Sequence, residues 1–315
     1  MNAAPGPAAR ICHGCGQAVV GDAVRAQGRV WHPAHFRCAS CGEAIDDGHY
    51  HTVDGATFHV SCYRERIAPR CAYCRQPLSH VYMTNDWGER FCESHLDEWP
   101  RCTFCGRLAP GDDAATAHPR CRACAAVAIE DPDLAQRLLG TLIGWLRDEG
   151  VTLDRPVRFL AQLVERHDLT DPDPDKPDAL GRAYTTQRGN EPIRLELMLL
   201  RGMTSPMFEG VAVHELGHAW LACRDVVALP PWAEEGFCEW ISHRWYTGRG
   251  TVEAGNYARR VETNDNPIYG GGFRRLRELE QRLGFDRIIA HLVAHKELPR
   301  FAIANLSTSP AGTGR

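Results

Sequence analysis

The residues with the most specific chemistry in this chain are His214, Glu215 and His218, which form an HExxH motif within FEGVAVHELGHAWLAC. The segment is predicted to be a helix, so the two histidines, four residues apart, share one face and can bind one zinc ion. Glu215 then faces a water molecule on that ion and is the expected general base. A catalytic zinc needs three protein ligands and an open water position, so the motif predicts one further ligand.

The segment WAEEGFCEW, residues 232–240, offers that ligand. It resembles the second ligand helix of gluzincin peptidases, which commonly contains Trp, two residues, Glu and Gly. The resemblance implies that Glu235 is the third zinc ligand, and Glu239 can then accept a hydrogen bond from a ligating imidazole. Glu234 is the alternative ligand. Cys223 and Cys238 are expected to be small core residues.

A second kind of metal chemistry is predicted near the N-terminus, where 12 of the 14 cysteines lie between Cys12 and Cys124. In a reducing compartment, CxxC pairs favour zinc over disulfides. The first eight ligands form two tetrahedral quartets, Cys12, Cys15, His32 and His35, followed by Cys38, Cys41, His59 and Cys62. These spacings, with WHPAHFRCASC, resemble a LIM domain in which His35 and His59 replace the usual cysteines.

A second block repeats this pattern and resembles a divergent, LIM-like module. Its quartets are Cys71, Cys74, Cys92 and His95, followed by Cys102, Cys105, Cys121 and Cys124. Six residues separate His95 from Cys102, where a LIM domain has two, and His118 is an alternative ligand in the last quartet. Closed four-ligand sites leave no open coordination position, so these zinc ions are expected to be structural.

Together with YGGGFR at residues 269–274, these motifs resemble the LIM-domain-containing zinc peptidases known from plants as ubiquitin-activated growth regulators. The resemblance covers residues from about 11 to 300 and implies a peptidase that cleaves regulatory proteins. Only about ten residues precede the LIM domain, which leaves no room for the ubiquitin-interacting helices of those relatives. The expectation of ubiquitin control therefore does not carry over.

The second half of the chain must supply the elements that hold the HExxH site. Leucines at three- and four-residue spacing predict a helix in residues 131–150, and VRFLAQLV and PIRLELMLL are predicted strands. The Asp- and Pro-rich residues 167–184 are predicted to be a loop. We therefore expect an α+β multidomain chain. Its predicted parts are a disordered tail (1–10), a LIM domain (11–68), a LIM-like module (69–126), a gluzincin-type metallopeptidase domain with a small sheet (127–307) and a disordered tail (308–315).

The expected mechanism uses one catalytic zinc, with four further structural zinc ions in the quartets. PIRLELMLL is expected to lie beside the cleft and to pair with an extended substrate. Tyr269, backed by His243, is the candidate donor to the oxyanion, and a packed core tyrosine is the alternative.

Composition narrows the expected partners. The net charge of -4 comes without a basic stripe, so nucleic acid is not an expected partner. Neither a secretion signal nor a long apolar run is present, so a cytoplasmic location without membrane contact is expected. A protein substrate is expected, with the LIM modules binding a regulatory protein or regulating the cleft. The rival interpretation is a non-catalytic adaptor with a silent peptidase-like scaffold.

Overall fold

A computed structural model describes residues 10–111, 119–153, 157–170, 179–186 and 193–299. The chain has a mixed α/β architecture in two compact units, Met1–Pro100 and Arg101–Arg315. The division falls inside the segment 69–126, which the sequence analysis treats as one LIM-like module. Except for Arg10, the predicted tails lie outside the described residues, as does His118.

The first unit consists of short antiparallel strand pairs between the cysteine pairs. The pairs are β1 (Val24–Ala26) with β2 (Arg29–Trp31), β3 (Tyr50–Val53) with β4 (Ala56–His59), and β5 (Met83–Thr84) with β6 (Arg90–Phe91). Its helical parts are a 3-10 turn (Pro33–His35), α1 (Val60–Cys62), a π-helical turn (Tyr63–Ile67) and α2 (His95–Glu98). One small core cluster contains Ala26, Phe36, Cys38, Ile45 and Phe58. Such small cores are usually supplemented by metal ions or disulfides.

The second unit is mainly helical. Its helices are α3 (Arg122–Ala126), α4 (Pro132–Asp148), α5 (Arg166–Leu169), α6 (Ser205–Cys223), α7 (Pro231–Arg249), α8 (Val252–Glu262), α9 (Tyr269–Leu283) and α10 (Phe285–His295). The predicted helix in residues 131–150 corresponds to α4. Asp131 caps its N-terminus by accepting a hydrogen bond from the Asp133 backbone, and Gly150 adopts a positive φ of 84° just beyond its end.

A three-stranded sheet lies beside these helices. It contains β7 (Val157–Val164), β8 (Gly181–Thr186) and β9 (Ile193–Leu200) in the order β7-β9-β8. The prediction that PIRLELMLL pairs with substrate is wrong, because β9 is the central strand, parallel to β7 and antiparallel to β8. The loop prediction is also wrong for β8. Its sequence GRAYTT lacks apolar alternation, and its ladder with β9 makes it a strand.

Helix α6, which carries the HExxH motif, is the centre of this unit. Thirteen of its residues are buried, among them Phe208, Leu216 and Trp220. A helix that is apolar on all sides must be enclosed by neighbours, and α6 packs against β8, β9, α4, α7 and α8. This enclosure fixes the histidine face of α6 against α7. Among the described residues, no helix has the length and apolar character needed to cross a membrane.

Candidate active site

The two motif histidines meet a carboxylate from α7. Oε2 of Glu235 lies 3.2 Å from Nε2 of His214 and 3.5 Å from Nε2 of His218. Zinc–ligand bonds of about 2.0–2.2 Å in a tetrahedron place neighbouring ligand atoms about 3.4 Å apart. Glu235 and the two imidazoles are therefore spaced as three ligands of one zinc ion.

The opposite nitrogen of each imidazole also faces a carboxylate of α7. Oε1 of Glu239 lies 3.5 Å from Nδ1 of His214, and Oε1 of Glu234 lies 3.1 Å from Nδ1 of His218. Carboxylates in these positions fix the ring orientation and leave Nε2 for a metal. From the sequence, Glu234 is predicted only as an alternative ligand, and its contact with Nδ1 of His218 is not foreseen. The one sequence feature that points to this contact is the position of Glu234 directly before Glu235, because adjacent residues of a helix can contact one site from two sides.

Cys238 is a third side chain close to the histidines. Its Sγ lies within 4.8 Å of a ring nitrogen of both His214 and His218, and the side chain is fully buried. Burial raises the pKa of this thiol well above its ordinary value, and a neutral thiol is a poor metal ligand. Burial also opposes ionisation of Glu235, but hydrogen bonds from the two histidines outweigh it and lower the pKa of Glu235 to about 2. The distances to the histidines and the negative charge of the carboxylate favour Glu235 over Cys238 and Glu234 as the third metal ligand.

The carboxylates around the histidines make the site strongly attractive to cations. Burial alone would lower the pKa of His214 and His218, but the hydrogen bonds and negative charge of Glu235, with nearby carboxylates, raise the pKa of each to about 9. In the metal-free protein, protons therefore occupy the histidines at neutral pH. A metal ion must displace these protons when it binds.

Glu215 is positioned by strand β8 as well as by α6. The side chain is 8% exposed. Burial raises its pKa, while the two histidines and a hydrogen bond from the Ala183 backbone oppose this rise. A carboxylate with a raised pKa is suited to accept and return a proton near neutral pH. The approach of β8 depends on Gly181, because a Cβ there would lie 2.9 Å from Cγ of Glu215 and 2.8 Å from Cγ1 of Val211.

Among the described residues, strand β8 has one edge that no other strand pairs with, and this edge lies beside Glu215. Leu200 donates a backbone hydrogen bond of 2.9 Å to the Leu180 carbonyl, so the even-numbered residues of β8 face β9. By the alternation of an antiparallel ladder, the backbone groups of Gly181, Ala183 and Thr185 face away from β9. Within the described residues, β8 pairs only with β9. Of the described strands, β8 is therefore the one whose free edge lies beside Glu215.

Tyr269 is the first residue of α9 and is half-buried near the carboxylates of the site. Burial, together with the negative charges of Glu235 and Glu239, raises the pKa of Tyr269 to about 12. The phenol therefore stays protonated and can donate a hydrogen bond. His243 hydrogen-bonds instead through Nε2 to Glu262 at 3.0 Å, and its ring packs on Phe273 at 4.7 Å.

Two glycines let α9 approach α7. A Cβ on Gly236 would lie 2.5 Å from the carbonyl carbon of Gly272, and a Cβ on Gly272 would lie 2.8 Å from Cα of Gly236. Both contacts are with backbone, which cannot rotate away. Gly271 is different, because its nearest neighbour would be the Asn266 carbonyl oxygen at 3.6 Å. The glycine pair therefore holds the N-terminal end of α9, with Tyr269, close to the ligand helix.

The four predicted zinc quartets are also brought together, with the ligand atoms of each quartet within 4.8 Å of one another. Tetrahedral zinc places two thiolate sulfurs about 3.8 Å apart, and a sulfur and an imidazole nitrogen about 3.5 Å apart. The observed separations are 3.7 Å for Cys74–Cys92, 3.6 Å for Cys105–Cys121, 3.5 Å for both Cys12–His35 and Cys15–His32, and 3.4 Å for Cys41–His59. All four quartets could therefore hold a zinc ion.

His95 supports this interpretation independently. Its Nδ1 lies 3.2 Å from Oε2 of Glu98, while its Nε2 is buried and has no hydrogen-bond partner among the described residues. A buried imidazole nitrogen without a partner is costly unless it binds a metal. One ring nitrogen of His95 lies within 4.8 Å of the sulfurs of Cys71, Cys74 and Cys92. Since Nδ1 faces Glu98, zinc bound with these cysteines would satisfy Nε2.

Comparison with known proteins confirms the LIM module, since the LIM domain family model matches residues 12–67. Protein DA1 and Protein DA1-related 2 of Arabidopsis thaliana are each 24% identical over 90% of this chain, covering 67% and 68% of their own lengths. LIM domain-containing protein HDR3 of Oryza sativa subsp. japonica is 24% identical over 75% of this chain and 56% of its own length. The chain therefore contains a LIM domain and is homologous to these plant proteins, and it spans about two thirds of the length of the first two.

Proposed function

We propose that this protein is a zinc metallopeptidase whose catalytic metal is held by His214, His218 and Glu235. The observation that carries the proposal is the position of Oε2 of Glu235, 3.2 Å and 3.5 Å from the two Nε2 atoms. A zinc ion bound there would supply Lewis acidity toward a water molecule and toward the scissile carbonyl. Glu234 and Glu239 hold the two imidazoles in the orientation that this ligand set needs.

Glu215 has the role of proton carrier. Its carboxylate accepts a proton from the attacking water and passes it to the leaving amine nitrogen. Its surroundings support this role, because burial raises the pKa of Glu215, and the hydrogen bond from the Ala183 backbone, which opposes that rise, holds the carboxylate in place. Oε2 of Glu235 lies within 3.5 Å of Nε2 of both histidines, so Glu235 rather than Glu215 takes the third ligand position in this proposal.

Strand β8 and Tyr269 provide the substrate contacts in this proposal. An extended peptide pairs with the outward backbone groups of Gly181 and Thr185 and with the Ala183 carbonyl, which places one of its peptide bonds beside Glu215. The Tyr269 hydroxyl donates a hydrogen bond to the carbonyl oxygen as that oxygen gains negative charge. The substrate class is therefore a protein or peptide in extended conformation.

The LIM match favours partner binding as a second function, because LIM domains generally mediate protein–protein interactions. In this proposal, the LIM and LIM-like zinc modules of the chain bind a regulatory protein. If the HExxH unit were catalytically silent, this binding would be the whole function, and the protein would be an adaptor.

The number of zinc ions per chain tests whether the peptidase site holds a metal ion, which the peptidase needs and a silent adaptor does not. Four quartets and one catalytic site predict about five zinc ions per wild-type chain. The His214→Ala, His218→Ala double variant should hold about four, because the quartets stay intact. Elemental analysis measures both values. About four zinc ions in both proteins would contradict the proposed catalytic site and favour the adaptor.

A further inference from the structure

The last zinc quartet lies in the same compact unit as the candidate active site. Cys102, Cys105, Cys121 and Cys124 fall within the unit Arg101–Arg315, whereas the other three quartets fall within Met1–Pro100. All four side chains are buried, with 5% exposure or less. The last quartet is thus enclosed by the unit that carries α6 and α7.

The first cysteine pair is attached to α8. The Arg260 guanidinium donates hydrogen bonds to the carbonyl oxygens of Phe104 at 2.8 Å and Cys105 at 2.6 Å. Gly106 has a positive φ of 75°, and a Cβ there would lie 3.0 Å from Nη2 of Arg260. The turn that carries Cys102 and Cys105 is therefore fitted closely around an arginine of α8.

The second cysteine pair is attached to the start of α6. The chain that follows Cys124 forms a short antiparallel contact with the residues before α6. In it, Ile129 donates to the Met203 carbonyl at 2.8 Å, and Gly202 donates to the Ile129 carbonyl at 3.1 Å. Arg201 adds a bond of 3.0 Å to the carbonyl of Glu130. The segment that starts the HExxH helix is therefore anchored to the second half of the quartet.

Helices α8 and α6 are also joined directly. The hydroxyl of Thr204, the N-cap residue of α6, donates to Oε1 of Glu253 at 2.8 Å and lies 3.3 Å from the Tyr257 hydroxyl. Tyr257 in turn stacks on Tyr246 of α7 at 5.5 Å. Helix α8 therefore contacts both the start of the HExxH helix and, through Tyr257, the helix that carries Glu235.

We propose that a zinc ion held by Cys102, Cys105, Cys121 and Cys124 is a positioning element of the candidate active site, because it joins the turn held by α8 to the segment that begins α6. Without the ion, the two cysteine pairs are no longer cross-linked, and both attachments loosen. The effect of losing this ion on turnover rests on the proposed peptidase function. Its effect on the order of α6 and α8 does not. The predicted LIM-like module, residues 69–126, thus contributes one of its two zinc quartets to the compact unit of the candidate active site.

Two matched variants of the full chain test this proposal. Cys102→Ser with Cys105→Ser removes the last quartet, and Cys12→Ser with Cys15→Ser makes the same change in the first unit. Each should lower the zinc content by one ion per chain. Amide hydrogen exchange, measured by mass spectrometry, should accelerate about tenfold or more in α8 and the first turns of α6 for the first variant only. Unchanged exchange in both helices after loss of the ion would overturn the proposal.

Arg260→Ala gives a second test that leaves all sixteen quartet ligands in place. Its control is Arg259→Ala, because Arg259 is exposed and bonds Asn256 on its own helix at 3.1 Å. Arg260→Ala should accelerate exchange in residues 102–106 and in α8, and it should lower kcat/KM about threefold or more at unchanged zinc content. Equal exchange in the two variants would contradict the attachment. If the wild type cleaves no peptide, the proposed function fails, while the exchange measurements still decide the positioning role.

Discussion

The contact between Gly272 and α7 can be tested with alanine substitutions at two neighbouring glycines, Gly272 and Gly271. The first should lower the stability of the protein and the second should raise it. In Gly272→Ala, the new methyl group would lie 2.8 Å from Cα of Gly236 and closer still to the carbonyl oxygen of Trp232. Ordinary contacts begin at 3.4 Å, so the Gly236 contact alone requires α7 and α9 to separate by about 0.6 Å, and the closer Trp232 contact requires a larger separation. Because both neighbours are backbone atoms, no side-chain rotation relieves the overlap.

The energetic effect is the difference between two opposing contributions. Overpacking costs about 1–3 kcal/mol, and a clash with backbone atoms only lies in the upper part of that range, at about 2–3 kcal/mol. The better helix propensity of alanine offsets about 1 kcal/mol of this. We expect Gly272→Ala to be destabilised by about 1–2 kcal/mol, which lowers the thermal midpoint by about 2–8 °C for a unit of this size. Gly271→Ala meets nothing closer than 3.6 Å, so helix propensity should stabilise it by about 0.5–1 kcal/mol.

Calorimetry of the two variants beside the wild type measures these shifts. Separation of α9 from α7 also moves Tyr269 away from Glu235, so kcat/KM should fall in Gly272→Ala and stay near the wild-type value in Gly271→Ala. Equal stability of the two variants, or a higher midpoint for Gly272→Ala, would refute the account of how α9 is held against the ligand helix.

Three further predictions concern the site itself. Tyr269→Phe should lower kcat/KM by about 100-fold without shifting the thermal midpoint, as loss of an oxyanion donor does; an unchanged rate would make Tyr269 a packing residue. Gly181→Ala should reduce kcat/KM at least about tenfold with zinc retained, because its Cβ overlaps Glu215, whereas Gly140→Ala, which meets nothing within 4 Å, should not. Zinc binding at pH 7 should release about two protons, since His214 and His218, with pKa values of about 9, are protonated below that pH and must become neutral to bind. Calorimetry in buffers of different ionisation enthalpy measures this release, and a value near zero would contradict it.

Metal-ligand spacing is the feature that sequence reasoning could use best. Pairs such as Cys12 and Cys15 are local, and a tetrahedral ion limits how they combine, so the LIM module could be predicted from spacing and is confirmed by the family match to residues 12–67. The amphipathic pattern that predicts α4 is likewise contained in one short segment, residues 131–150. In both cases a short stretch of sequence contains the whole signal.

The arrangement of strands could not be predicted in the same way. PIRLELMLL has the apolar character of a buried strand, which says that it is paired but not which partners it has. Strand β8 carries little apolar signal because its position depends on the ladder with β9 and on the space that Gly181 leaves beside α6. The edge strand of the site was therefore assigned to the wrong segment.

The carboxylates of α7 show a similar limit. The sequence places Glu234, Glu235 and Glu239 on one helix, but which histidine nitrogen each one faces depends on how α7 crosses α6. The division of the LIM-like block between two compact units is also a tertiary property. It depends on contacts such as that of Arg260 with Cys105, which lie 155 residues apart in sequence.

The central claim is that Glu215 and the metal beside it cleave peptide bonds, and the most direct test is cleavage by wild type and Glu215→Gln at matched zinc content. Both proteins are incubated with a diverse peptide library, and new termini are counted by mass spectrometry. The substitution keeps the metal ligands His214, His218 and Glu235 but removes the group that carries the proton, so we predict about five zinc ions in each protein and new termini only with the wild type. Equal cleavage by both proteins, or none by either, would contradict the account.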